Sequence, residues 1–230
     1  MPKVKFKYNI NNDAWSWVSI AKDKNLWGLD WNFQVSFIPK NLLEKIVNTE
    51  FLEAQNLVRK YLENHPLKIY RSTVVDKTIL SLEGIWGTVE NNFFDTFSSL
   101  TKKKIYRDNF DCFLTTGFVC IDNAEKNWFM VSVWHSLPFS ITSICHELFH
   151  LHFLHHYYEY FKKKGLNKEQ INNLKESLTF LLNEPEFSKI ILVEDIGYPE
   201  HFLLREKLKN IWHTNKDFNN LLEKAIEIIK

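Results

Sequence analysis

The chain has 230 residues, 45% of them hydrophobic and 15% aromatic, which is enough apolar material for a sizeable core. Its 29 basic and 28 acidic residues leave a net charge of +1, so neither a nucleic-acid footprint nor an acidic tail is present. No uncharged apolar run of about 18 residues occurs and the amino terminus lacks an apolar signal core, so no membrane span is expected; the three cysteines (Cys112, Cys120, Cys145) read as reduced thiols of a cytoplasmic protein.

Lys3 to Ile10 alternates charged and apolar residues and predicts a half-buried strand. An aromatic-rich stretch with Trp15, Trp17, Trp27 and Trp31 follows, expected to pack between elements. Asn41 to Asn64 carries a helical apolar face and ends at His65-Pro66. A second helix is predicted from Ser81 to Lys103. Nothing in this first half carries recognisable chemistry.

Asp111 to Ile121 and Trp128 to Trp134 read as strands, with a turn over Asp122 to Lys126, so an antiparallel hairpin is expected there. Phe139 to Lys164 reads as a long helix, with Pro138 suited to its start, Ser140 a candidate N-cap and Gly165 placed as C′. Asn167 and Gln170 form a capping box for a helix over 168–183, stopped by Pro185. Lys189 to Val193 is a strand or buried turn. Helices are then predicted over Glu200 to His213 and Lys216 to Ile229, the latter capped by Thr214.

The chemistry sits in His146-Glu147-Leu148-Phe149-His150. Residues i and i+4 lie on one helical face, so the two imidazoles can share one Zn²⁺ while the intervening Glu147 acts as a base on water. Ile141, Ile144 and Cys145 make this helix a buried one, where unpaired polar groups are costly. Catalytic zinc takes three protein ligands. His156 stands where a metzincin places its third histidine, but Phe153 replaces the required glycine and no methionine lies downstream. His152 and His155 also point away from the shared face. Glu176, at the edge of an apolar stretch on the following helix, is the preferred third ligand; Glu184, Glu194, Asp195 and His201 stay open.

The motif followed by Glu176 resembles the gluzincin branch of the zincin metallopeptidases. It is also similar to compact intracellular metallopeptidases that cleave phage and stress repressors. The resemblance covers roughly residues 110–200. It implies an α+β, zincin-like fold, mostly helical, with a small antiparallel sheet before the motif helix. Few glycines (6) and several tryptophans near the N-terminus suggest a single packed unit, so 1–230 is expected to be one domain, with 1–105 a mainly helical N-terminal part and 106–230 the catalytic core. The resemblance implies a zinc-dependent metallopeptidase acting on peptide or protein substrates, with zinc-activated water as nucleophile and Glu147 as general base. Tyr198 and His201 match in type and order the residues that steady the oxyanion in gluzincins. Phe180 stands where those enzymes carry an aspartate that orients a zinc histidine, so Asn183, Asp195 or a backbone carbonyl is expected to do so here. Two other readings are a deformylase using Cys112 or Cys120 as ligand, whose flanking signature is absent, and a non-catalytic zinc-stabilised binding or regulatory module. The retained Glu147 favours catalysis, since a structural site needs no base.

Overall fold

The computed structural model describes residues 2–25 and 27–230. The fold is α+β. Four strands, β1 (Lys3–Tyr8), β2 (Asn109–Thr115), β3 (Asp122–Asn123) and β4 (Trp128–Ser132), form one sheet in the order β1-β2-β4-β3. The first three in that order run parallel, and only β3 is antiparallel to its neighbour. The sheet is therefore mixed, not the antiparallel one expected, and the stretches 111–121 and 128–134 do not form a hairpin.

The physical reason lies at Asp13, which is fully buried. Its carboxylate accepts the Thr116 backbone N–H at 2.7 Å, ending the ladder of β2 one residue after Thr115. Gly117 then passes close to the helix carrying Ile20, where a Cβ would lie 2.8 Å from the Ile20 Cδ1. The chain goes on to the far edge of the sheet and returns through β3 into β4. A parallel pair needs a connection of about a dozen residues, and the segment between β2 and β4 supplies it.

Helix α1 (Ile10–Lys22) occupies the aromatic stretch that was not read as helical. Asn9 is its N-cap, accepting the N–H groups of Asn11 and Asn12, and Asp13 lies in the first turn. After the short α2 (Trp31–Gln34), the helix expected over 41–64 is two helices, α3 (Lys40–Asn48) and α4 (Phe51–Asn64). They part at the extended Thr49, and the Lys22 ammonium donates to the carbonyls of Val47 and Thr49 at the break. Helix α5 (Lys68–Thr101) begins well before Ser81.

Two cores result. The smaller joins α1, α3 and α4 around Val18, Ile46, Ala54 and Val58. The larger takes in β1, α5, β2, β4 and the helices from residue 137 onward, while Val119 and Ile121 belong to the smaller.

At its centre is α6 (Leu137–Lys163), buried without interruption from Ser140 to Phe153. Its N-cap is Ser136, accepting the Phe139 N–H, and not Ser140, which is buried inside the first turns. At its other end Gly165 takes φ +88°, its N–H bonds the Lys162 carbonyl, and the Leu166 N–H bonds the Phe161 carbonyl. That is the Schellman pattern, with Leu166 and Phe161 both buried. Asn167 and Gln170 form the expected capping box of α7 (Lys168–Leu178), whose continuation over Thr179–Asn183 tightens into a 3₁₀ turn. The box reverses the chain, and α7 packs on α6.

Residues 189–193 form no strand, and the turn and bend there are mostly exposed instead of buried. A 3₁₀ turn over Pro199–His201 leads into α8 (Phe202–Thr214), and α9 (Phe218–Ile229) follows. Asp217 caps α9 in place of Thr214, whose hydroxyl bonds back to Asn210. Among the described residues, no helix is long and apolar enough to cross a membrane.

Candidate metal centre

The i, i+4 spacing on α6 sets the rings of His146 and His150 face to edge with centroids 4.3 Å apart. Helix α7 returns beside α6 and delivers Glu176, whose Oε2 lies 3.3 Å from His146 Nε2 and 3.2 Å from His150 Nε2. Glu176 is 1% exposed, His150 2% and His146 8%. The ligating atoms of the three all fall within 4.8 Å of one another, close enough for one ion. Neither ring nitrogen of His150 makes a hydrogen bond, while Glu176 Oε1 has the Lys175 ammonium 3.2 Å away. Buried polar atoms without partners are rare and costly, and a cation among these three would engage one nitrogen of each imidazole and Oε2 of Glu176.

Each imidazole has its own carboxylate behind it. His146 Nδ1 lies 3.2 Å from Asp195 Oδ1, and His150 Nδ1 lies 3.4 Å from Asp122 Oδ1. Asp195 is itself anchored. The Asn183 amide donates to its carbonyl and accepts its N–H, and Arg205 Nη2 donates to the same carbonyl at 2.6 Å. Gly197, at φ +65°, lets Arg205 lie there; a Cβ would come 2.8 Å from Arg205 Nη1. Phe180 is plain core, and Asp195 on the later loop takes the orienting place.

The charges give a second constraint. Glu147, Glu176, Asp122 and Asp195 face Lys175 and Arg205 within one buried cluster, so neutral imidazoles would leave two negative charges in excess. The histidines respond accordingly. Burial alone would lower the His146 pKa, but the Asp195 carboxylate and its neighbours outweigh it and push it up to about 9. His150 is raised well above its ordinary value, with the Glu176 charge overcoming burial. Against the same burial, the His146 charge holds Asp195 down to about 2, and His150 and Lys175 hold Glu176 low. The cluster thus draws two positive charges, which two protons or one divalent cation can supply. A second grouping of Asp122, Glu147 and His150 is also tight. It shares His150 with the first, and the Lys175 ammonium lies against both, 2.8 Å from Asp122 Oδ1 and 3.2 Å from Glu176 Oε1.

Two cavities meet at the centre. The larger, about 780 Å³, is walled by β3, α6 and α7 and reaches Glu147, His150 and Glu176. The smaller, about 240 Å³, is walled by Phe118, Phe139, Thr142, Ile196 and His146 among others. Glu147, Tyr198 and Cys120 belong to both walls. The Tyr198 ring centroid is 6.3 Å from that of His146 and 4.7 Å from that of Trp27. Burial and the charges of Glu176 and Glu147 raise the Tyr198 pKa well above its usual value, so its hydroxyl keeps its proton. His201 is in neither wall. It is buried behind Tyr198, with Nε2 3.2 Å from Asn173 Oδ1.

The other candidates join neither ligand grouping. Helix α6 runs straight through Phe153, so His156 turns to the Lys104 carbonyl, His155 stacks on Tyr106 at 3.9 Å, and His152 meets Thr101. Glu184 pairs with His213 and Lys216, and Glu194 is exposed. Cys112 is buried in β2, and Cys120 lines the cavities without joining either ligand grouping.

Lys175, Asp122, Arg205 and Trp27 were not legible as site residues. The one available signal was Lys175 beside Glu176 at the start of an apolar run, where two adjacent charges entering a buried segment imply partners. Compared with protein-family models, with curated proteins and with solved structures, the chain matches none.

Proposed function

We propose that the chain is a zinc-dependent metallopeptidase of zincin-like fold acting on peptide or protein substrates. The observation that carries this reading is the place of Glu147: a buried carboxylate next to His146, which belongs to the candidate metal cluster, at the junction of two cavities. A purely structural site needs neither a base nor a cleft.

His146, His150 and Glu176 would hold the ion, which when bound polarises a carbonyl and acidifies water. Glu147 accepts the proton of the attacking water and passes it to the leaving amine. Tyr198, protonated and facing both cavities, donates to the carbonyl oxygen as it gains charge. His201 acts from behind, supporting the turn that presents Tyr198. The outer edge of β3 faces the larger cavity, and its backbone can pair with an extended chain. The free, buried cysteines fit a reducing compartment such as the cytoplasm.

The test is cleavage of a quenched-fluorescent peptide mixture by the zinc-loaded chain. Hydrolysis abolished by EDTA and restored by zinc is expected. A zinc-loaded chain with no hydrolysis, unchanged by Glu147→Gln, would leave the zinc-stabilised binding module instead.

A further inference from the structure

Lys175 is a rarity in this molecule: a lysine 5% exposed, inside the core. Burying an ammonium is costly unless it is paired, and a methionine of similar length would fill the same space without that cost. Its two partners are both site residues. Nζ lies 2.8 Å from Asp122 Oδ1 on β3 and 3.2 Å from Glu176 Oε1 on α7. Those contacts divide the labour of each carboxylate. With Oε1 of Glu176 held by the ammonium, Oε2 alone is presented to the two imidazoles. The Asp122 Oδ1 that receives Lys175 is the same oxygen that lies 3.4 Å from His150 Nδ1. One side chain therefore joins the ligand helix, the edge strand of the cleft and the support of a ligating imidazole.

We propose that Lys175 is a positioning residue of the metal centre, fixing Glu176 as a one-oxygen ligand and locking β3 to α7 through Asp122. The proposal rests on the metal-centre reading above. It competes with a simpler role in which Lys175 only balances charge, and the two differ in sign. Removing an ammonium next to a cation site favours the cation by Coulomb's law, so a charge-balancing lysine, once removed, leaves binding equal or tighter. A positioning lysine, once removed, leaves binding weaker by about 10–100-fold.

The experiment uses the full chain with Zn²⁺ and Co²⁺ as probes. Affinity is read by chelator competition and ligand geometry by the visible absorption of the Co²⁺ form. Lys175→Met is expected to lose about 10–100-fold in affinity and to change the Co²⁺ spectrum as Glu176 is freed to use both oxygens. Lys175→Arg, which keeps the charge, is expected to restore much of both. Asp122→Asn, on the two-residue edge strand, serves as the second variant and is expected to weaken binding in the same direction. Circular dichroism of the metal-free proteins controls for folding. Wild-type affinity and spectrum in both Lys175→Met and Asp122→Asn, or tighter binding, would overturn the positioning role while leaving the metal centre intact. Failure of the wild-type chain to bind either ion would overturn the metal-centre reading, and this proposal with it.

Discussion

Asp13 and Glu176 are both buried carboxylates, and they behave oppositely. Asp13 accepts the hydroxyls of Tyr8, Thr115 and Thr116 and the Thr116 N–H. Ser16 and Trp17 complete that network through the same threonines. Burial raises the Asp13 pKa, yet every nearby donor has a use. Around Glu176 the polar groups converge on a common point and leave atoms unbonded, including both nitrogens of His150. A buried carboxylate whose lone pairs are spent on neighbours belongs to the scaffold. One whose neighbours stay unsatisfied and share an excess of negative charge is shaped for something that is not a side chain.

The largest expected effect separates base from ligand. Glu147→Gln should cut peptide hydrolysis by about 10²–10⁴-fold while zinc content and folding stay at wild-type values. Loss of zinc in that variant would make Glu147 a ligand and erase the distinction. Asp13→Ala should do the reverse. It strands several buried donors and should cost about 3–5 kcal/mol in denaturant unfolding, with zinc stoichiometry unchanged in the folded protein. A change of less than about 1 kcal/mol would mean that the Asp13 network is not the scaffold described.

Smaller still is Asp195→Asn, which keeps the shape but weakens the acceptor behind His146. Zinc affinity should fall by about 10–100-fold by chelator competition, and an unchanged affinity would remove Asp195 from the centre. The smallest effect concerns Glu184, a carboxylate satisfied by surface partners. Burial would raise its pKa, but the hydrogen bonds with His213 and Lys216 prevail and lower it. A depressed folded pKa contributes stability that is present above the ordinary carboxylate range and lost as pH falls through the folded value. The stability gap between wild type and Glu184→Gln should therefore close on acidification below about pH 4. A gap that widens would reverse the assignment.

The same contrast explains what the sequence could convey. Helix α6, its Schellman end at Gly165 and the Asn167–Gln170 box are local patterns, so the two histidines, Glu147 and Glu176 could be placed in advance. The mixed sheet could not. Strand β1 pairs with β2 across a hundred residues of chain, and β2 ends where Asp13, on a distant helix, captures the Thr116 N–H. The break at Thr49 depends on Lys22 in the same way. Asp122 read as part of a turn because its partners, His150 and Lys175, come from two later helices. Arg205 gave no signal, since its role is to hold the backbone of Asp195.

The convergence at Glu176 is tested most directly by its metal content. Zinc per chain should be measured in protein purified without chelator, for wild type, His150→Ala, Glu176→Ala and Asp13→Ala. About one zinc in wild type and in folded Asp13→Ala, and none in the other two, is the result expected of a three-ligand centre. Wild-type protein that takes up no zinc even when it is added back, or equal zinc in all four, would contradict it.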